Sequence, residues 1–252
     1  MTTTRIFITS LRNELIAFLL FVGLWSLAAV FYPVYVIPSP LAVAASYPEY
    51  LPKDFSHHLG VTGLRLGLGL GIAFLAGSLL GTLAFTRKWE LSINAFMSAL
   101  NVLPGMVLGV IFLLVLGIGS STPIALVTFL TLPTLTINTV NGLAKRDTNL
   151  EQYLASIGAQ KSHFVKYLYL PALVPTLLGN LSIGLGLAIK VVLMGEFIGS
   201  QDGLGYLLNT ARLTFEMKAV FFYLVVLLFF TLIFQAGVSL LSNTILRKYF
   251  YA

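Results

Sequence analysis

Cysteine is absent from this 252-residue chain, which excludes disulfides, thiolate catalysis and Cys-ligated metals. Charge is scarce. Asp, Glu, Lys and Arg together make 10% of the residues, where a soluble domain carries about 25%. So few charges cannot cover a water-facing surface. No Gly-Lys dipeptide occurs, so there is no phosphate-binding G-x-x-x-x-G-K-[ST] loop and the chain cannot serve as an ATPase by that route. G-x-S-x-G and H-E-x-x-H are also missing. A membrane enzyme would show a polar catalytic cluster near an interface, and none is visible. His57 and His58 are adjacent and point apart on a helix, with no third ligand near, so no metal site is expected. His163 reads as solvated.

What remains is apolar. Hydrophobic residues make 58% of the chain and mean hydropathy is +0.93, which places it among polytopic membrane proteins. A spanning helix needs about 20 mostly apolar residues. Six runs qualify, at 15–32, 61–85, 93–116, 123–140, 173–193 and 219–241. Lipid offers backbone groups no partner, so all six are expected as helices. The first follows Arg5 and Arg12, as a signal peptide would, but it is long for that and five runs follow it. It is read as an uncleaved span.

The formal charge of +6 fits the positive-inside rule better than nucleic-acid binding, because the basic residues sit in loops between apolar runs. With the N-terminus inside, ten basic residues are cytoplasmic: Arg5, Arg12, Arg87, Lys88, Lys145, Arg146, Lys161, Lys166, Arg247 and Lys248. Three fall outside: Lys53, Arg212 and Lys218. Both termini are therefore expected in the cytoplasm. The proline-rich stretch 33–57 and the glycine-containing stretch 196–218 become outer loops. Neither repeats nor low-complexity tracts are seen, and a single transmembrane domain over 1–252 is expected.

Glycines recur every four residues at Gly63, Gly67 and Gly71, at Gly77 and Gly81, and at Gly105 and Gly109. Such faces let helix backbones approach closely. Packing within one subunit and a seam between copies both fit.

Two features carry functional information. The first is the polar segment 152–171, which falls on the cytoplasmic side. Leu150, Leu154, Ile157, Phe164, Val165 and Leu168 follow a 3.6-residue period with a gap at Lys161, just after Gly158. A short helix, a bend at Gly158 and a second helix are expected, with Pro171 in the first turn of the next span. Such a helix can dock into a partner's groove or lie on lipid. The second feature is charge inside the apolar runs, which costs about 2.5–3.5 kcal/mol near the bilayer centre and so should face protein or water. Arg65, near one end of its span, is read as snorkelling outward. Lys190 and Glu196 are six residues apart, about 120° apart around a helix, and do not form a local pair. Each is read as paired on another helix or facing a pathway.

Ordered motifs add a resemblance. I-P-S-P at 37–40, T-G-L-R-L-G-L-G at 62–69, L-P-G-M at 103–106 and L-G-I-G at 116–119 come first. G-A-Q-K at 158–161, L-P-A-L-V-P at 170–175 and G-E-F-I-G-S-x-x-G-L-G-Y-L at 195–207 follow. In order and spacing the chain resembles the permease subunits of ABC importers of the nitrate, sulfonate and taurine type. The resemblance implies an all-α type I importer permease fold with six transmembrane helices. An N-terminal extra span would occupy 1–35, the permease core 36–252 and a cytoplasmic coupling loop 147–170. It implies an ATPase-coupling set of Gln152, Ser156, Gly158, Ala159, Lys161, Leu170 and Pro171. Arg65, Lys190 and Glu196 are the candidate residues of the translocation path. It implies a separate ABC ATPase using ATP and Mg, an extracytoplasmic solute-binding protein and a second permease copy, with no cofactor on this chain. The solute would be small and anionic or zwitterionic. The sequence departs from the family in one place, with Gln152, Tyr153 and Leu154 where E-A-A is usual and Glu151 one position early. An ion-coupled carrier would need several intramembrane carboxylates, and only Glu196 comes close.

Overall fold

Apolar runs that cannot hydrogen-bond to lipid close their backbone bonds internally. In the computed structural model every regular element among the described residues, 2–250, is helical. The order is α1 (Thr2–Phe31), α2 (Pro40–Ala45), α3 (Tyr47–Tyr50), α4 (Phe55–Thr86), α5 (Glu90–Asn101) and α6 (Gly105–Leu116). Then come α7 (Ser121–Ala144), α8 (Thr148–Ser156), α9 (Lys161–Phe164), a π-helical turn (Val165–Tyr169), α10 (Leu170–Gly199), α11 (Leu204–Leu213) and α12 (Met217–Phe250). The side chains of Arg5, Arg12, Arg247 and Lys248, which the orientation argument uses, lie outside the described set.

Among the described residues, four stretches are long and apolar enough to cross a membrane: Phe55–Thr86, Ser121–Ala144, Lys161–Gly199 and Met217–Ser242. One of the six expected runs departs from a straight span. The run at 93–116 is broken, because α5 and α6 meet at 84°. Pro104 sits at the break and removes a backbone donor while disfavouring helix at the residue before it. Counted as one, the bent pair makes a fifth span. The expected first span, 15–32, begins among residues whose side chains lie outside the described set; its described part, Phe18–Phe31 of α1, is apolar.

The chain divides into two units, residues 1–55 with 207–227 and residues 56–206 with 228–252. In the first, aromatic residues do the joining. Trp25 donates its indole N–H to the Pro38 carbonyl at 2.9 Å and stacks on Phe221 at 5.4 Å. Tyr223 donates its hydroxyl to the Tyr50 carbonyl at 2.9 Å. Ser39 caps α2 by accepting from the Ala42 N–H.

In the second unit α7 forms seams with both α4 and α10. A Cβ added at Gly69, Gly77 or Gly81 would press on Val127, Leu135 or Thr139 of α7. A Cβ at Gly142 would overlap Thr176, and one at Gly195 would overlap Pro123. Leu126, Val127, Leu135 and Val192 are fully buried in these seams. The spacing at Gly77 and Gly81 thus serves packing within the subunit. Gly67 and Gly71 do not, since nothing lies within 4 Å of a Cβ added there. Their side of α4 carries the exposed Leu64, Leu68 and Leu75, a face suited to lipid.

Candidate functional site

The segment between α7 and α10 folds as its residues dictate. Asp147 caps α8, its carboxylate accepting from the N–H groups of Asn149 (2.9 Å) and Leu150 (3.1 Å). Glu151 in the first turn is held by Arg146 at 2.9 Å, and the Arg146 guanidinium lies over the Phe85 ring. Leu154 points inward and is buried. The helix ends in a Schellman motif, in which Ala159 donates to the Leu154 carbonyl at 3.0 Å and Gly158 to Ala155 at 3.1 Å. Gly158 has φ +66°, a conformation that costs a residue with a Cβ. The short α9 and the π turn follow, with Leu168 buried beneath them. Leu170 and Pro171 are the first two residues of α10, as the sequence anticipates for a proline.

This arrangement presents an apolar surface with little cover. Tyr153 is 60% and Ile157 58% exposed, and Val165 and Tyr167 are also exposed. Gln152, Ser156, Gly158 and Lys161 lie exposed among them, and Ala159 is partly exposed. No atom lies within 4 Å of a Cβ added at Gly158. The single polar departure, Gln152, is solvent-facing, while the carboxylate next to it, Glu151, is engaged by Arg146.

At the other end of α4 and α10 lies a buried charge cluster. Arg65 is 1% exposed, so it does not snorkel as its position suggested. Its Nη1 donates to Glu196 Oε1 at 3.0 Å and to the Asp202 carbonyl at 2.9 Å. Nη2 donates to Asp202 Oδ1, and Nε to Ser120 Oγ at 3.0 Å. Glu196, also 1% exposed, accepts from Thr62 Oγ1 and from the Gly205 N–H, each at 2.9 Å. Thr62 in turn accepts from the Leu204 N–H at 2.8 Å, and the His58 ring accepts from Gly203 at 2.9 Å. Burial pushes the Asp202 carboxyl up. The hydrogen bond and charge of Arg65, with His57 at 3.2 Å, outweigh that and hold it below its ordinary value. Gly203 has φ +102°, and a Cβ there would overlap the Glu196 carboxylate. The G-E-F-I-G-S-x-x-G-L-G run is therefore the wrapping of one buried ion pair.

Of the three intramembrane charges, the structure brings together Arg65 and Glu196 and leaves Lys190 apart. Lys190 is exposed on α10, with no ion pair among the described residues. A groove of about 470 Å³ opens toward the α10 start, lined by Asn138, Asn141, Lys145, Thr176, Gly179 and Asn180 among others. Asn180 was not singled out in the sequence. It is 1% exposed and donates to the Leu135 carbonyl at 3.2 Å and to Thr139 Oγ1 at 2.9 Å, while its Oδ1 has no partner. Polar residues at 134, 138, 141 and 145, one face of α7, were the available signal. Among the described residues no three His, Asp or Glu side chains come together to hold a metal ion.

Comparison with known proteins gives a consistent result. A family model described as binding-protein-dependent transport system inner membrane component matches residues 70–247. A formylaminopyrimidine transport permease protein of Halalkalibacterium halodurans is 27% identical over 231 residues, covering 91% of this chain and 92% of that one. A riboflavin transport system permease protein of Chloroflexus aurantiacus is 27% identical over 218 residues, 86% and 81% of the two chains. A putative aliphatic sulfonates transport permease protein of Bacillus subtilis is 25% identical over 214 residues, 84% and 78% of the two. Among solved structures, an inward-facing MetNI methionine ABC transporter matches with a TM-score of 0.65 at 19% identity, over 77% of this chain and 97% of that one. That likeness shows the fold.

Proposed function

This chain belongs to the binding-protein-dependent transport system inner membrane components, and from that premise we propose how its parts divide the work. As a member it is a multi-pass permease subunit of an ABC importer and not an enzyme. The ATPase is a separate subunit, and a binding protein brings the solute. The proposal is that segment 147–171 is the ATPase dock and lies in the cytoplasm together with both termini. The ten-to-three bias of basic residues supports that orientation. A second copy of the chain completes the transport unit. ATP and Mg are used by the partner, and this chain carries no cofactor. The solute is small and anionic or zwitterionic. The relatives above are named for the transport of formylaminopyrimidine, riboflavin and aliphatic sulfonates, which supports the size class.

The observation that carries this reading is the exposed apolar surface of Tyr153, Ile157, Val165 and Tyr167, centred on a left-handed Gly158 with open space in front of it. ATP-driven closure of the two ATPases draws the two loops together, and α10, which begins at Leu170, carries that movement into the membrane. Access then switches from one side to the other. The family supports this cycle over an ion-coupled carrier.

The test is a Gly158 series read by ATPase co-purification. Gly158→Asn keeps the left-handed bend, which Asn tolerates, and adds bulk toward the partner. Gly158→Leu adds bulk and also strains the bend. Both variants should insert and purify as stable membrane proteins, yet retain the ATPase at least about tenfold less, the equivalent of about 1.4 kcal/mol. Normal retention and uptake by Gly158→Asn would remove this surface as the dock.

A further inference from the structure

We propose that the groove between α7 and α10, continued along α10 to Lys190, is a water-facing track that selects solutes bearing an anionic group. This rests on the permease reading and deepens it. Three observations converge on one face of α10. First, Gly179, Ile183 and Lys190 lie within about 40° of one another around the helix, since steps of four, seven and eleven residues return to nearly the same side. Second, that face is open. Ile183 is half exposed, Lys190 is exposed, and nothing lies within 4 Å of a Cβ added at Gly179 or Gly186. Third, the groove below it is lined by the polar side chains of Asn138, Asn141, Lys145 and Thr176.

A lipid-facing role does not fit these residues. A lysine several turns inside a spanning helix needs water or a partner, and Lys190 has no ion partner among the described residues. The faces suited to lipid look different, as on α4 with Leu64, Leu68, Leu75 and Leu79. The charge pattern sets the solute class. The groove lining holds a cation, Lys145, and no Asp or Glu. Lys190 lies about 10 Å beyond Ile183 along α10. The carboxylate on α10, Glu196, is sequestered by Arg65, Thr62 and Gly205. A solute on this track therefore meets amides and two lysines, and its charged end is favoured if negative.

The absence of cysteine makes a direct test available. Ile183→Cys, and separately Gly179→Cys, are placed in the assembled importer in membranes. The rate of modification is measured with sulfonatoethyl methanethiosulfonate, which is anionic, and with its trimethylammonium counterpart, which is cationic. Each rate is normalised to that of a free thiol, at low ionic strength. The anionic reagent should be favoured by about fourfold or more, the effect of a two-unit charge difference about 10 Å from a lysine in a water-like medium. Adding Lys190→Gln should bring the ratio close to one at Ile183→Cys. Modification only by a membrane-permeant maleimide would place this face in lipid and overturn the proposal. A charge preference absent, or unchanged by Lys190→Gln, would also overturn it. Retention of the ATPase by the same preparations reports on the permease reading separately: a Cys-bearing importer that keeps its ATPase but shows no preference breaks the track alone.

Discussion

Arg65 and Lys190 are both cations within spanning helices, and the structure treats them oppositely. Arg65 has four acceptors around it and almost no exposure. Lys190 is exposed and has no ion pair among the described residues. The difference follows from reach and side-chain shape. The planar guanidinium offers fixed donors to Glu196, Asp202 and Ser120 at once, and its five N–H groups suit a buried crossroads. An ammonium on a flexible stem is a point charge that stays hydrated. One end of this unit is thus a sealed knot joining α4, α10 and the following loop, while the α7–α10 groove is left open. On the proposal above, stability rests on Arg65 and transport on Lys190.

The largest expected effect comes from cutting the knot. Arg65→Met leaves Glu196 buried without its cation and should cost about 3–5 kcal/mol, since the uncompensated charge, not the lost attraction, sets the penalty. Thermal stability of the purified protein in detergent measures it. The double variant Arg65→Met with Glu196→Leu should recover part of the loss. If the double variant is as unstable as the sum of its singles, the two residues are not coupled as described.

The contrasting cation should be nearly silent in the same assay. Lys190→Gln is expected to change stability by no more than about 0.5 kcal/mol, the range of substitutions that break no packed or paired group, while lowering uptake. A large loss of stability would mean Lys190 belongs to the framework after all.

The smallest effect concerns Asp202 at the edge of the knot. Its folded pKa is depressed below 3.8, so its contribution is fully present above that value and is lost as pH falls through the lower folded value. Melting temperature followed from pH 6 downward should fall less steeply at the acid end in Asp202→Asn than in the parent. Parallel curves would remove Asp202 from the pH dependence.

Local signals in the sequence were read well and distant ones poorly. The bend at Gly158 and the proline opening α10 were legible because glycine and proline punctuate the chain whatever surrounds them. Helical geometry also showed that Lys190 and Glu196 do not pair. It could not show that Glu196 meets Arg65, because 131 residues separate them and only the packing of α4 against α10 decides it. Proximity to a helix end therefore suggested snorkelling where the fold provides a buried partner. The break at Pro104 was overshadowed by the apolar residues on both sides, which a hydropathy window joins into one run. The glycine spacing at 67 and 71 looked like that at 77 and 81, yet one pair meets α7 and the other meets nothing. Periodicity identifies a face without naming its neighbour.

The π turn at Val165–Tyr169 has a mechanical consequence. Its hydrogen bonds skip one residue more than α-helical ones, so it stores a single residue of slack where the exposed loop enters α10. Taking up that slack would turn the loop by about 100° and advance it by about 1.5 Å relative to the span, while the rest of the helix kept its bonds. If the Gly158 surface is the ATPase dock proposed above, a push on it would reach α10 as a rotation.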